Sequence, residues 1–129
     1  MKKVLVLLAA VAVFLPLSGC SKGSHEAFMN DMIAAMKEMG TVLEGIKDKD
    51  SAKAAVPKLQ EIVKRLNDLK EKGKALPEPD EATKKKLEEK LKELMEVSMK
   101  VAGEMMRVQG IEGAAEELKG IQSEMSNFK

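Results

Sequence analysis

Apolar residues recur at alternating spacings of three and four along most of the chain after Ser24, a pattern typical of helices that bury one narrow stripe. No segment alternates apolar and polar residues with the period of two that a half-buried strand requires. The four stripes comprise Met29, Met32, Met36, Met39, Leu43 and Ile46; Ala52, Ala55, Leu59, Ile62, Leu66 and Leu69; Leu87, Leu91, Leu94, Ser98, Val101, Met105 and Val108; and Ala114, Leu118, Ile121, Met125 and Phe128. The pattern predicts an all-α protein.

Polar residues and helix breakers divide these stripes. Residues suited to cap or end helices are Ser24, Asp50 or Ser51, Gly73, Asp80, Gly110 and Gly113. Pro77 and Pro79 exclude a helix across the midpoint. We therefore expect helices at about 25–47, 52–72, 81–109 and 113–127. Pro57 lies inside the second, so that helix either begins near Val56 or is kinked in its first turn.

Short connections favour antiparallel neighbours, so the expected architecture is an up-down-up-down four-helix bundle over residues 24–129. The third helix is longer than the fourth, and part of it should be thinly covered. Phe28 and Phe128 would then lie at the same end of the bundle. The favourable i,i+4 ion pairs on the helix surfaces are Glu61–Arg65, Glu88–Lys92 and Glu96–Lys100.

The N-terminal segment has a different character. Lys2 and Lys3 precede an almost uninterrupted apolar run of 14 residues, Val4 to Leu17. A helix of that length covers roughly 21 Å, less than the ~30 Å hydrocarbon core of a bilayer. The run therefore reads as the hydrophobic region of a signal peptide at residues 1–19.

The run ends in Leu17-Ser18-Gly19-Cys20, which resembles the lipobox of bacterial lipoproteins. The resemblance implies cleavage between Gly19 and Cys20, followed by S-diacylglycerol and N-acyl modification of Cys20. Two or three acyl chains anchor a domain stably, whereas one chain does so only marginally. The competing interpretation is an ordinary secretory signal with an incidental cysteine.

The same resemblance places the mature protein in the cell envelope, with the membrane as partner through the lipid. Ser21 follows the cysteine where many lipoproteins retained on the inner membrane carry Asp, so Ser21 favours the outer membrane of a Gram-negative source. Residues 20–23 form the expected tether, which would hold the bundle close to the membrane surface.

Composition narrows the possible functions. Without Lys2 and Lys3, 20 of the 22 basic residues remain against 21 acidic ones, so the mature chain lacks the basic excess that nucleic-acid binding requires. The sequence contains neither Trp nor Tyr, which argues against stacking platforms for bases. A single cysteine excludes an internal disulfide and a cysteine-based metal cage.

Enzymatic constellations are also missing. His25 is the single histidine, and no glycine-rich phosphate loop or Glu-x-x-His motif is present. The many carboxylates lie outside the apolar stripes and read as a solvated surface. We therefore predict that the protein is not an enzyme and carries no cofactor.

Methionine is the anomaly of the composition. Ten are present in the chain, and His25, Met29, Met32, Met36 and Met39 share one face of the first helix. Thioether and imidazole groups suit Cu(I) or Ag(I). Methionine is also an adaptable core filler, and these positions coincide with the helix stripe, which favours packing. A pliable groove for a protein partner is the third interpretation.

The layout of the mature chain is similar to that of the soluble four-helix b-type cytochromes of the periplasm. That family holds haem between a Met early in its first helix, which Met29, Met32 or Met36 could match, and a His near its C-terminus. This chain ends without a histidine, so only a bis-methionine or His25–Met arrangement would remain. A shared fold does not transfer function.

The sequence thus favours a small, non-enzymatic lipoprotein with a structural or interaction role and no identifiable protein partner. The alternatives are a soft-metal or haem carrier using the methionine face, and a homo-oligomer in which a second chain covers the exposed end of the third helix.

Overall fold

The computed structural model describes residues 21–127, and every regular element in that range is an α-helix. The helices are α1 (Ser21–Glu44), α2 (Lys49–Lys74), α3 (Glu81–Gln109), α4 (Ala114–Glu117) and α5 (Lys119–Ser126). The all-α prediction is confirmed. The range of α3 agrees with the sequence-based expectation, and the expected fourth helix is divided into α4 and α5 at Leu118.

The first helix lies earlier in the chain than expected. It begins at Ser21, so Ser24 is inside the helix and does not cap it. Residues 21–23, which were expected to form part of a tether, belong to its first turn. The helix ends at Glu44, before the expected limit at residue 47.

The second helix begins with a capping box. The backbone N–H of Ser51 donates to Oδ1 of Asp48 at 2.7 Å, and Ser51 Oγ accepts from the Asp48 N–H at 3.0 Å. The cap is therefore Asp48, not Asp50 or Ser51. α2 continues through Pro57 and does not begin near Val56, because this cap holds the first turns ahead of the proline.

Gly73 serves close packing and does not end α2, which continues to Lys74. The ring of Phe28 lies directly against it, since a β-carbon added at Gly73 would be 2.7 Å from Phe28 Cζ. The glycine therefore allows α1 to approach the end of α2. Phe128, the expected partner of Phe28, lies outside the described residues.

The turns around α3 follow the expectation more closely. Asp80 caps α3 by accepting the Thr83 N–H at 2.7 Å. Gly113 precedes α4 with φ of 78°, a backbone conformation that favours glycine.

The most extensive helix contact joins α1 to α3, and these two helices run parallel. Their register follows from three ion pairs whose residue numbers rise together: Glu26–Lys86 at 3.8 Å, Lys37–Glu93 at 2.7 Å and Glu44–Lys100 at 2.6 Å. The contact between α1 and α2 is antiparallel, since Phe28 meets Gly73 whereas Glu38 meets Lys58. α1 therefore lies between α2 and α3, and the strongest contact is not between antiparallel chain neighbours.

The short helices α4 and α5 pack mainly on α2, and α4 also contacts α3. Lys49 at the start of α2 lies 3.9 Å from Glu117 of α4. The short helices therefore cover the end of the bundle where α1 stops and α2 starts.

Arg107 of α3 fastens the C-terminal end of α1. Its guanidinium donates to the carbonyl oxygens of Leu43 at 2.8 Å and Ile46 at 3.0 Å, and its Nε donates to Glu104 at 2.7 Å. Carbonyl groups at the end of a helix lack intrahelical partners and carry partial negative charge. Leu43 lies in the last turn of α1, where its carbonyl oxygen also accepts the Ile46 N–H at 3.0 Å, and Ile46 lies two residues beyond the helix. The arginine adds a charged donor to both carbonyl groups and thereby ties this end of α1 to α3.

The buried core is concentrated toward this same end. Its members are Ile33, Ala35, Met39, Leu43 and Ile46 of α1; Ala52, Leu59, Ile62, Val63, Leu66 and Leu69 of α2; Val101 and Val108 of α3; and Ala114, Leu118 and Ile121. The expected stripe of α2 is buried except for Ala55, which is partly buried.

The expected stripe of α3 is only partly covered. Only Val101 and Val108 are buried, and Leu91 is 50% exposed. Three methionines beyond that stripe are more exposed still: Met95 at 59%, Met99 at 74% and Met106 at 72%. The expectation of a thinly covered third helix agrees with this pattern, but assigning Leu91 to the buried stripe was wrong.

Two of the expected i,i+4 ion pairs are replaced by contacts between helices. Arg65 pairs with Glu38 of α1, and Lys100 pairs with Glu44. A long basic side chain reaches either partner, and these contacts link helices where the local pairs would not.

We predict that Arg107→Ala lowers the free energy of unfolding by about 1–3 kcal/mol, because two carbonyl groups lose a charged donor. Arg65→Ala, which removes an exposed ion pair, should cost less than about 1 kcal/mol. Urea denaturation followed by circular dichroism measures both. Equal losses would contradict the role assigned to Arg107.

Candidate functional site

The predicted lipid-attachment and cleavage residues, Cys20 and Gly19, lie outside the described residues. The described chain begins at the next position, where Ser21 is the first residue of α1.

The predicted methionine face of α1 does not form one site. His25 and Met39 are separated by fourteen positions, which corresponds to roughly 21 Å along a helix. No single ion can contact both ends of such a row. Met39 is fully buried in the core, whereas Met29, Met32 and Met36 are half-buried.

Two of these methionines line an apolar cavity of about 230 Å³. Its wall consists of Met32, Met36, Leu66, Leu94, Ser98 and Met125. Four helices contribute, and the cavity lies where α5 ends while α1, α2 and α3 continue. Because α5 stops at this level, the space between the three longer helices is left unfilled.

The chemistry of the cavity is set by three thioethers and one hydroxyl. Thioethers are polarizable donors that suit soft monovalent metal ions and also accommodate small apolar molecules. The sequence pattern placed Met125 on the last stripe but gave no reason to group it with Met32 and Met36, because the convergence depends on how far α5 extends along α2.

His25 lies on the same helix but apart from the cavity. It is seven positions before Met32, or roughly 10 Å along α1. Its Nε2 is buried and has no hydrogen-bond partner among the described residues. Within residues 21–127 no group of three His, Cys, Asp or Glu residues is placed to hold a metal ion.

A larger polar depression of about 430 Å³ lies between α1 and α2, and Glu38 and Arg65 are part of its wall. Glu38 accepts from Arg65 and lies 2.9 Å from Lys58. Hydrogen bonds from Lys58 and Arg65 lower the pKa of Glu38, and the bond to Glu38 raises the pKa of Lys58. The charges of Glu38, Lys58 and Arg65 are therefore paired with one another and hold α1 against α2.

None of the helices among the described residues is both long and apolar enough to span a bilayer.

The lowered pKa of Glu38 predicts a pH-dependent contribution to stability. The ion pair stabilises the fold above the ordinary carboxyl pKa of 4.5, and this stabilisation is lost as the pH falls through the lower folded-state pKa. Glu38→Gln should therefore reduce the free energy of unfolding at pH 7 by less than about 1 kcal/mol. The difference from wild type should disappear toward pH 2.

Thermal unfolding at both pH values, with Glu124→Gln as the control for an exposed carboxylate, tests this. A difference of the same size at pH 7 and pH 2 would show that Glu38 acts through packing and not through its charge.

Comparisons with protein-family models, curated proteins and solved structures find no match to this chain.

Proposed function

We propose that the protein is a small bacterial lipoprotein whose helical bundle, anchored through Cys20, has a structural or interaction role in the cell envelope and no catalytic one. The observation that carries the proposal is the Leu17-Ser18-Gly19-Cys20 segment, which follows two lysines and a 14-residue apolar run. Positive charge, a short apolar region and small residues before a cysteine together resemble a lipoprotein signal.

The start of α1 supports the same proposal. Because the helix begins at Ser21, it directly follows the residue that would carry the lipid. Such a chain would hold its bundle against the membrane without a flexible spacer. Ser21, in place of Asp, favours the outer membrane.

The proposal also includes an alternating course of the four helical segments. The antiparallel contact of α1 with α2 and the parallel contact of α1 with α3 support an up-down-up course, and α4 and α5 would return along α2. Two of the three connections would then lie at the end of the bundle where α1 stops, and the connection between α2 and α3 would lie at the end where α1 begins, so none would need to cross the core.

Cys20→Ser in the full chain should abolish incorporation of a labelled fatty acid and release the protein from the membrane fraction. Ser21→Ala, which keeps the cysteine, should leave both unchanged. Fatty-acid labelling and membrane fractionation of cells that express each variant measure the two effects. Unchanged membrane attachment of Cys20→Ser would refute the proposal.

A second candidate function is soft-metal binding, favoured by the convergence of Met32, Met36 and Met125 on one cavity. At about 230 Å³ the cavity is smaller than the ~300–1,000 Å³ of ordinary small-molecule pockets, so an ion suits it better than haem. The ligands would be the three thioether sulfurs.

The full chain carrying Cys20→Ser, which removes the competing thiol, should bind about one Cu(I) against a chromophoric chelator. Met36→Leu should weaken binding at least tenfold, whereas Met99→Leu on the exposed face of α3 should not. Absence of competition with the chelator, or equal weakening by both substitutions, would exclude this candidate.

A further inference from the structure

The outward face of α3 carries an uninterrupted apolar stripe. Leu91, Met95 and Met99 follow one another at i,i+4, and Met106 lies seven positions further on, so all four lie along one side of the helix. Each is at least half exposed. We call these four residues the outer stripe.

Charged residues border the outer stripe on one side only. Lys85, Glu89, Lys92 and Glu96 follow each other at spacings of four, three and four, which places them along a second line. We call this line the charged flank. None of its members has an ion pair among the described residues, whereas the charges of α3 that face α1 are paired with it.

The opposite border is apolar. Leu87, Leu94, Ser98 and Met105 are half-buried, and Leu94 and Ser98 also line the methionine cavity. We call these residues the apolar flank. α3 therefore presents three parallel lines to its surroundings: apolar flank, outer stripe and charged flank.

The outer stripe extends for roughly 22 Å along α3. A bilayer surface is a poor cover for it, because membrane-surface helices are rich in Lys and Arg beside their apolar face. The charged flank has two lysines and two glutamates.

We infer that the outer stripe is covered by the α3 helix of a second copy of this chain, in an antiparallel pair. Within the charged flank, Lys92 and Glu96 lie four positions apart and carry opposite charges, so the two residues can face each other across an antiparallel pair. When Lys92 of one copy faces Glu96 of the other, twofold symmetry repeats the pair, and Met95 lies close to the axis.

The flanks also select the orientation. In an antiparallel twofold pair each flank meets the same flank of the partner, so charged residues meet charged residues and apolar residues meet apolar ones. In a parallel pair the charged flank would lie on Leu87 and Leu94 of the partner, which would bury charges without partners. The distribution of residues on α3 thus favours antiparallel pairing.

The size of the surface indicates a modest affinity. Four half-exposed side chains form a patch of a few hundred Å², at the upper end of what single monomers expose. A standard interface buries about 800 Å² from each partner, so the two flanks must supply the remainder. This pairing does not depend on the lipid anchor.

Cysteine cross-linking in the full chain tests the pair. Met95→Cys should give a disulfide-linked dimer under mild oxidation. Asn67→Cys, exposed on α2, should give several-fold less, and wild type reports any background from Cys20. Loss of membrane anchoring would change the cross-linking of both variants alike. Failure of the proposed lipid anchor is therefore distinguishable from failure of the pairing.

A charge exchange then identifies the partner. In the Met95→Cys background, Lys92→Glu should reduce the cross-linked dimer several-fold by placing like charges opposite each other twice. The double change Lys92→Glu/Glu96→Lys should restore it, because both sides of a homodimer exchange together. Circular dichroism checks that these exposed substitutions leave the helices intact.

Equal cross-linking of Met95→Cys and Asn67→Cys would overturn the proposal. Failure of the double exchange to restore the dimer would also overturn it, since a different protein or a bilayer would then be the occupant.

Discussion

The parallel contact between α1 and α3 is the interaction on which the rest of this fold depends. Arg107 donates to the carbonyl groups of Leu43, in the last turn of α1, and of Ile46, just beyond it, and three ion pairs align the two helices along their length. Antiparallel packing of α2 on the other side of α1 then leaves α2 and α3 separated. Only α4 and α5, twelve residues together, are available to close the space between them.

The short length of α4 and α5 explains both the methionine cavity and the exposed outer stripe of α3. Because α5 ends at Ser126, the space beneath it stays open and is lined by Met32, Met36 and Met125. Because nothing among the described residues packs on the outward side of α3, the outer stripe remains exposed. A methionine cavity and an apolar helix face therefore have one structural cause.

The sequence predicted the helices well because hydrophobic period is a local property, whereas the expected caps were right at Asp80 and wrong at the start of α2, where Asp48 is the cap. The range of α3, the cap at Asp80 and the buried stripe of α2 all follow from spacing and residue type. Periodicity does not specify what covers a stripe, so the exposure of Leu91 could not be read from it. Likewise, Arg65 has acidic partners within reach on its own helix and on α1, and only the packing selects Glu38.

The candidate site was predictable only in part, for the same reason. Met32 and Met36 are grouped by their spacing on α1, but Met125 joins them through a contact between distant segments. Met39, which the same spacing groups with them, is instead a core residue. A helical row of ligands extends along its axis, so convergence on one ion requires a second helix.

The central claim is that one side of α3 packs on α1 and that its other side is covered by the α3 helix of a second copy of the chain, in antiparallel orientation. Electron-spin distance measurement tests it most directly, with a spin label on Lys84→Cys in the full chain that also carries Cys20→Ser. Pairing about the Lys92–Glu96 contacts predicts a separation of about 30 Å between the two labels. A separation near 10 Å, which a parallel pair of helices would give, or the absence of any distance between chains would contradict it.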